Sequence, residues 1–169
     1  MVLKLHGRCA VEIYTVTFFG HRELSDPFII EDRLEQLLHQ LIHTKEYVEF
    51  LVGRDGEFDQ LVSSVIRRCK EKYACGNVMH ILVLPYERAE YRDNKDSFES
   101  YYDEIEIYPG EGAYFKSAIE QRNHYMAERA DLIICCIEHE SGGAYAAVKY
   151  AEKIGKKIIN LCNEFEQNR

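Results

Sequence analysis

Short apolar runs alternate along the chain with stretches whose apolar residues recur at helical spacing. Ile13 to Phe19 is β-branched and aromatic and stops at Gly20, which predicts a buried strand closed by a glycine turn. Asp26-Pro27 then offers an N-cap followed by a proline at the first helical position, and Ile30, Leu34, Leu37, Leu38 and Leu41 form one apolar face. The unit repeats. Tyr47 to Val52 predicts a strand ending at Gly53, Phe58, Leu61, Val62, Val65, Ile66 and Cys69 a helical stripe, and Val78 to Leu84 a third strand closed by Pro85. A helix from about Ala113 to Arg129 leads into Leu132 to Ile137, a nearly continuous apolar run of the kind that suits a strand covered on both faces. Gly142-Gly143 opens a last helix, with Ala147, Val148, Ala151 and Ile154 inward and Gly155 as its stop, before a final strand from Lys157 to Leu161.

Two stretches fall outside this rhythm. Residues 1–12 predict an N-terminal arm or edge hairpin. Residues 86–108 are acidic and tyrosine-rich with few aliphatics, and predict a long surface excursion with a short strand at Ile105 to Tyr108. Its tyrosines, Tyr86, Tyr91, Tyr101, Tyr102 and Tyr108, suit packing onto their own domain or onto another subunit, and aromatic rings also stack on bases. Strands alternating with helices imply an α/β fold, a Rossmann-like three-layer sandwich with a mostly parallel sheet and right-handed crossovers. The 169 residues suffice for a single domain. Ligands of such sheets sit beyond the carboxyl ends of the strands, which directs attention to the loops after Phe19, Val52 and Ile137 and to the helix before Asp131.

Charge narrows the partners. Lys and Arg number 21 against 29 Asp and Glu, a net charge of −8. That balance argues against duplex nucleic acid and acidic membrane surfaces but leaves room for a small anion. No run approaches the roughly 18 apolar residues of a membrane span and the N-terminus carries no apolar leader, so a cytoplasmic protein is expected. The cysteines, Cys9, Cys69, Cys75, Cys135, Cys136 and Cys162, show neither C-x-x-C pairs nor zinc-finger spacing, and predict reduced, mostly buried thiols. His39, His43, His80 and His124 lack the carboxylate company of a metal site. Neither a metal nor a cofactor is expected.

The candidate chemistry lies in the turns. In Gly20-His21-Arg22, amides, an imidazole and a guanidinium can converge on a phosphate, or a turn glycine simply precedes two solvated residues. G-x-G-x-x-G, the ordinary dinucleotide fingerprint, is absent. Gly53 and Gly56 allow close backbone approach, and Asp59 in the first helical turn either accepts from a ribose hydroxyl or complements the helix dipole. Ser141-Gly142-Gly143 offers free amides for an oxyanion or phosphate, or a tight turn that packs a helix on the sheet. Arg122 and Arg129 either reach a phosphate or are solvated.

Taken in order, Gly20-His21-Arg22, Gly53-x-x-Gly56-x-Phe58-Asp59, Arg122-Asn123-x-x-Met126-x-x-x-x-Asp131 and Gly142-Gly143 before Gly155-Lys156 resemble the SLOG superfamily. This Rossmann-like group includes YpsA-like proteins, DprA and the Lonely Guy phosphoribohydrolases. The resemblance covers all but the N-terminal arm and the acidic excursion. It implies a pocket for a nucleotide or nucleotide-derived ligand, used as a sensor or binding module, and a homo-oligomer. Arg122 looks like the arginine of the Lonely Guy arginine-lysine motif, with Asn123 in place of the lysine. Gly142 and Gly143 look like the start of P-G-G-x-G-T-x-x-E, but Ser141 replaces the proline, Tyr145 the third glycine, Ala146 the threonine and Lys149 the catalytic glutamate. Binding is therefore expected over catalysis, with Glu138 or Glu140 as conceivable substitutes. Nucleoside-monophosphate phosphoribohydrolase activity and DprA-like single-stranded nucleic-acid binding stand as alternatives. The acid concentrates between Glu87 and Glu106, whereas His21, Arg22, Arg54 and Arg122 are expected to make the pocket cationic.

Overall fold

The computed structural model describes residues 10–108 and 115–163. Most of the expected N-terminal arm, and Ala113 at the expected start of a helix, lie outside them. Along the chain run β1 (Ile13–Gly20), α1 (Pro27–Thr44), β2 (Tyr47–Val52), α2 (Glu57–Tyr73), β3 (Val78–Leu84), α3 (Ala89–Asp93), α4 (Lys95–Tyr101), β4 (Glu104–Ile107), α5 (Phe115–Arg129), β5 (Leu132–Cys136), α6 (Gly142–Lys153) and β6 (Lys157–Asn160). The strands form one six-stranded sheet in the order β4-β3-β2-β1-β5-β6, and every pairing is parallel. This is the expected Rossmann-like arrangement.

Side-chain alternation divides the core between the two faces of the sheet. Phe18, Phe50, Leu82 and Ile134 meet Leu34 and Leu38 of α1 and Val62 and Ile66 of α2 on one face. Phe19, Leu51, Val83 and Ile133 meet Met126 and Ala130 of α5 and Val148 and Ala151 of α6 on the other. Local chemistry fixes the ends. The Asp26 carboxylate accepts from the Ile29 N–H at 3.4 Å to start α1. After α6, Gly155 adopts φ +75° while its N–H reaches Glu152 O and the Lys156 N–H reaches Ala151 O, both at 3.0 Å. This paired closure needs a left-handed residue and explains the glycine stop.

Residues 86–108 depart from expectation in part: the expected short strand is present as β4, but the rest is not a mere surface excursion. They form α3, α4 and the edge strand β4 on β3, with Tyr91, Phe98 and Tyr102 buried in the same core as α1 and α2. Rings with few aliphatic neighbours in sequence thus bury themselves as well as leucines do, because tyrosine keeps a polar tip for the rim. Arg54 Nη1 donates to the Tyr102 hydroxyl at 3.3 Å. Asp131 clamps β5 to β1: its Oδ2 accepts from the Thr15 N–H and its own N–H donates to Thr15 O, both at 2.8 Å. Among the described residues no helix is long and apolar enough to cross a membrane.

Candidate functional site

The strand order reverses between β1 and β5, and at such a point the loops leaving adjacent strands run to opposite faces and open a crevice. A cleft of about 410 Å³ occupies it, within the range of small-molecule sites. Gly20, His21 and Arg22 after β1, Gly53, Gly56 and Asp59 around the start of α2, Arg122 and Asn123 of α5, and Ser141, Gly142 and Gly143 at the start of α6 all line it. Glu23, Asp55 and His139 line it as well. Their types carry no distinctive spacing; only the sheet edge gathers them.

Two glycines let the walls close. A Cβ on Gly20 would lie 2.2 Å from the Phe58 ring, and one on Gly56 would lie 2.7 Å from the Arg22 Cα. The Glu57 N–H donates to Arg22 O, and a Glu57 carboxylate oxygen accepts from the Leu24 N–H, both at 2.9 Å. The start of α2 is therefore fastened to the loop after β1.

Arg122 is only 3 % exposed. Its Nε donates to Asn123 Oδ1 at 3.0 Å, Nη1 to Val83 O at 2.8 Å and Nη2 to Asp55 Oδ2 at 2.7 Å. Arg88 takes the other Asp55 oxygen at 2.6 Å. Burial pushes the Asp55 carboxyl up, but the Arg122 and Arg88 charges and hydrogen bonds outweigh it and hold the group below its ordinary range. Arg122 thus braces the wall that joins α5, β3 and the loop after β2.

Asp59 sits on the floor, where its Oδ2 accepts from the Asp55 N–H at 2.7 Å. Burial pushes its carboxyl up to about 6, against the opposing pull of that amide and of Arg122. A carboxyl near neutrality in a cleft is suited to exchanging a proton as well as accepting a hydroxyl.

The charge of the cleft differs from the sequence expectation. His21 is buried and stacked on His139, with ring centroids 3.6 Å apart and planes 6° from parallel. Burial and the neighbouring imidazole lower its pKa, so near neutral pH it is an uncharged ring. The His139 N–H donates to its Nε2 at 3.4 Å. Arg54 lies outside the cleft, paired with Glu90 at 3.0 Å and set over the Phe98 ring. Arg129 is likewise elsewhere, bonded to Glu106 at 2.6 Å. Arg22 is exposed, and its guanidinium has no acceptor among the described residues. The start of α6 lines the same cleft, and its N-cap Ser141 makes no side-chain cap and its first turn carries no acid. Gly142 adopts φ +88°, and a Cβ on it or on Gly143 would meet nothing within 4 Å. Both glycines line the cleft.

Two expected carboxylate substitutes are absent from the lining. Glu138 accepts from the Ser25 hydroxyl at 2.6 Å, and neither it nor Glu140 borders the cleft. Lys149, which the sequence resemblance sets in place of the hydrolase glutamate, pairs with Glu152 at 2.6 Å and does not line the cleft.

The sequence matches no family model and no curated protein. The fold has clear counterparts. DNA processing protein A of Helicobacter pylori, whose structure was described for its single-stranded DNA binding mode, aligns over 91% of this chain and 72% of its own, with a TM-score of 0.61 and 15% identity. DNA processing protein A (DprA) of Streptococcus pneumoniae aligns over 92% and 56%, with a TM-score of 0.64 and 14% identity. Both of these structural neighbours are DprA proteins. At these identities the likeness is one of fold, and the chain spans little more than half of the second protein.

Proposed function

We propose that this chain is a SLOG-type binding module whose cleft takes one phosphate-bearing nucleotide unit, either a free nucleotide or one residue of a single strand. The observation that carries the reading is that the exposed Arg22 and the start of α6 at Gly142 and Gly143, which has no side-chain cap, line one cleft of nucleotide size. The phosphate lies between them. Asp59 on the floor accepts from a ribose or base donor, and the flat face of the stacked His21 and His139 offers a surface for a base. The DprA neighbours, one of them characterised for single-stranded DNA binding, support the strand arm; the net charge of −8 supports a single unit over an extended polyanion.

Thermal shift with nucleoside monophosphates and fluorescence anisotropy with single-stranded and duplex oligonucleotides separate the two sources. Stabilisation by a monophosphate, or retention of a single strand with a salt slope near that of one phosphate, is expected. Arg22→Ala removes one charge-assisted contact and weakens either ligand by about 10- to 100-fold. No binding of either kind, or binding indifferent to both Arg22→Ala and Gly143→Asp, overturns the proposal.

A second reading, N-glycosidic hydrolysis, draws on the near-neutral Asp59 carboxyl. It requires free base released from a monophosphate and loss of that release in Asp59→Asn; long incubations that release none dispose of it.

A further inference from the structure

Behind the loop that follows β5 lies a second cluster of chemistry-bearing side chains. Cys136 is the last residue of β5, Cys162 lies in the turn after β6, and Glu138 lies in the loop after β5. The Asn160 side chain knits the two segments: its Oδ1 accepts from the Ile137 N–H at 3.2 Å and the Cys162 N–H at 3.1 Å, and its Nδ2 donates to Ile137 O at 3.2 Å. The two thiols are therefore brought together by the backbone, with the sulfurs 2.8 Å apart. A Glu138 carboxylate oxygen and both sulfurs all lie within 4.8 Å of one another. The Ser25 hydroxyl, donating to Glu138 Oε2 at 2.6 Å, orients that carboxylate.

From this geometry we infer that Cys136, Cys162 and Glu138 form a binding site for a thiophilic divalent cation of the zinc class. Two sulfurs and one carboxylate oxygen select a borderline ion over magnesium or calcium, which take oxygen donors alone. Three protein ligands leave a fourth tetrahedral position for solvent. A cation with metal–sulfur bonds of ~2.3 Å holds its sulfurs about 3.7 Å apart, so the pair opens by about 1 Å, a movement the Cys162 turn allows more readily than the β5 strand. Binding releases the proton of each thiol, so the two thiolates balance the charge of the ion and the site keeps the single negative charge of Glu138. Cys136 is buried, Cys162 half-buried and Glu138 exposed, so the ion enters from the solvent side. Glu138 precedes His139, and Ser141 follows in the same loop; both of these line the cleft. An ion that fixes Glu138 therefore also fixes one rim of the cleft, an orienting role known for residues just outside a ligand shell.

The test is cobalt titration of the whole reduced chain, using a non-thiol reductant. A thiolate-to-cobalt charge-transfer band with tetrahedral d–d absorption at one ion per chain, displaced by zinc, is expected. Cys162→Ser and Glu138→Gln, on half-buried and exposed positions that spare the core, each weaken cobalt by at least about tenfold, as even outer-shell losses do. Cys75→Ser, an exposed cysteine on the loop after α2, leaves the titration unchanged. Absence of the thiolate band at excess cobalt, or a band unaltered in both variants, overturns the inference. So does a reduced protein that binds no cobalt but forms a Cys136–Cys162 disulfide with peroxide, which would make the cluster a thiol pair and nothing more.

Discussion

Asp59→Asn is expected to stabilise this protein at neutral pH. In the folded chain burial raises the Asp59 carboxyl from 3.8 to about 6. A group whose folded pKa lies above its unfolded value binds more protons when folded, so its contribution to stability is full below pH ~4 and is lost as pH rises towards 6. At 1.36 kcal/mol per unit, the shift corresponds to a loss of ~3 kcal/mol across that window, constant above it. Asparagine retains an oxygen for the Asp55 N–H, which lies 2.7 Å from Asp59 Oδ2, and removes the charge. Urea unfolding of both proteins at intervals from pH 4 to 8 gives the difference directly. The variant should gain on the wild type through pH 4 to 6 and hold a lead of about 1–3 kcal/mol above pH 6.5. Asp55 acts in the other direction and in another window. Its carboxyl is held low, so its stabilisation is present above pH ~4 and fades below, leaving the comparison clean. A difference that stays flat from pH 4 to 7, or a variant less stable than wild type at pH 7.5, would refute the assignment of a buried, destabilising carboxylate.

Gly20→Ala places a methyl group 2.2 Å from Phe58, a residue with no exposed surface, and should cost about 1–3 kcal/mol by overpacking. Adding Phe58→Leu should recover part of that cost in a double-mutant cycle, and strict additivity would sink the steric account. Arg122→Met leaves the Val83 carbonyl without its donor and Asp55 with Arg88 alone. It should lower stability by roughly 3 kcal/mol in urea unfolding, and a variant of unchanged stability would show that the guanidinium is not the brace described.

The strands and long helices were legible because each carries enough aliphatic residues at period two or 3.6 to bury a face by itself. The cleft was legible for a related reason: a parallel sheet sends every strand-to-helix turn to one edge, so glycines after Phe19 and Val52 and before α6 had to meet. Residues 86–108 were legible only in their short edge strand. Their buried positions, Tyr91, Phe98 and Tyr102, lie on two short helices with polar neighbours, and only the β4–β3 pairing places them against the core. The tasks of the arginines were hidden for the same cause. Arg122 finds its acceptors at Val83 and Asp55, far away in sequence, and only the folded chain shows whether a cation on a helix faces water, a ligand or a carboxylate. The Cys136, Glu138 and Cys162 cluster spans two strands and has no motif spacing at all.

The expectation of a cationic pocket contracts accordingly, and the contraction decides what the cleft can hold. Of His21, Arg22, Arg54 and Arg122, the first is held towards its neutral form, the third lies outside and the last is buried with its donors spent on Asp55, Val83 and Asn123. Arg22 remains, in one lining with the start of α6, whose helix-end partial charge amounts to about half an elementary charge. Glu23 and Asp55 interrupt the lining, so no row of cations runs along it to track a phosphate backbone. Affinity for a polyanion grows with the number of phosphates neutralised, whereas affinity for one phosphate in a dry crevice grows with the geometry of its donors. On the proposed reading this cleft belongs to the second case. A single strand can engage it by inserting one nucleotide, and its binding should then be no more sensitive to salt than that of the free nucleotide.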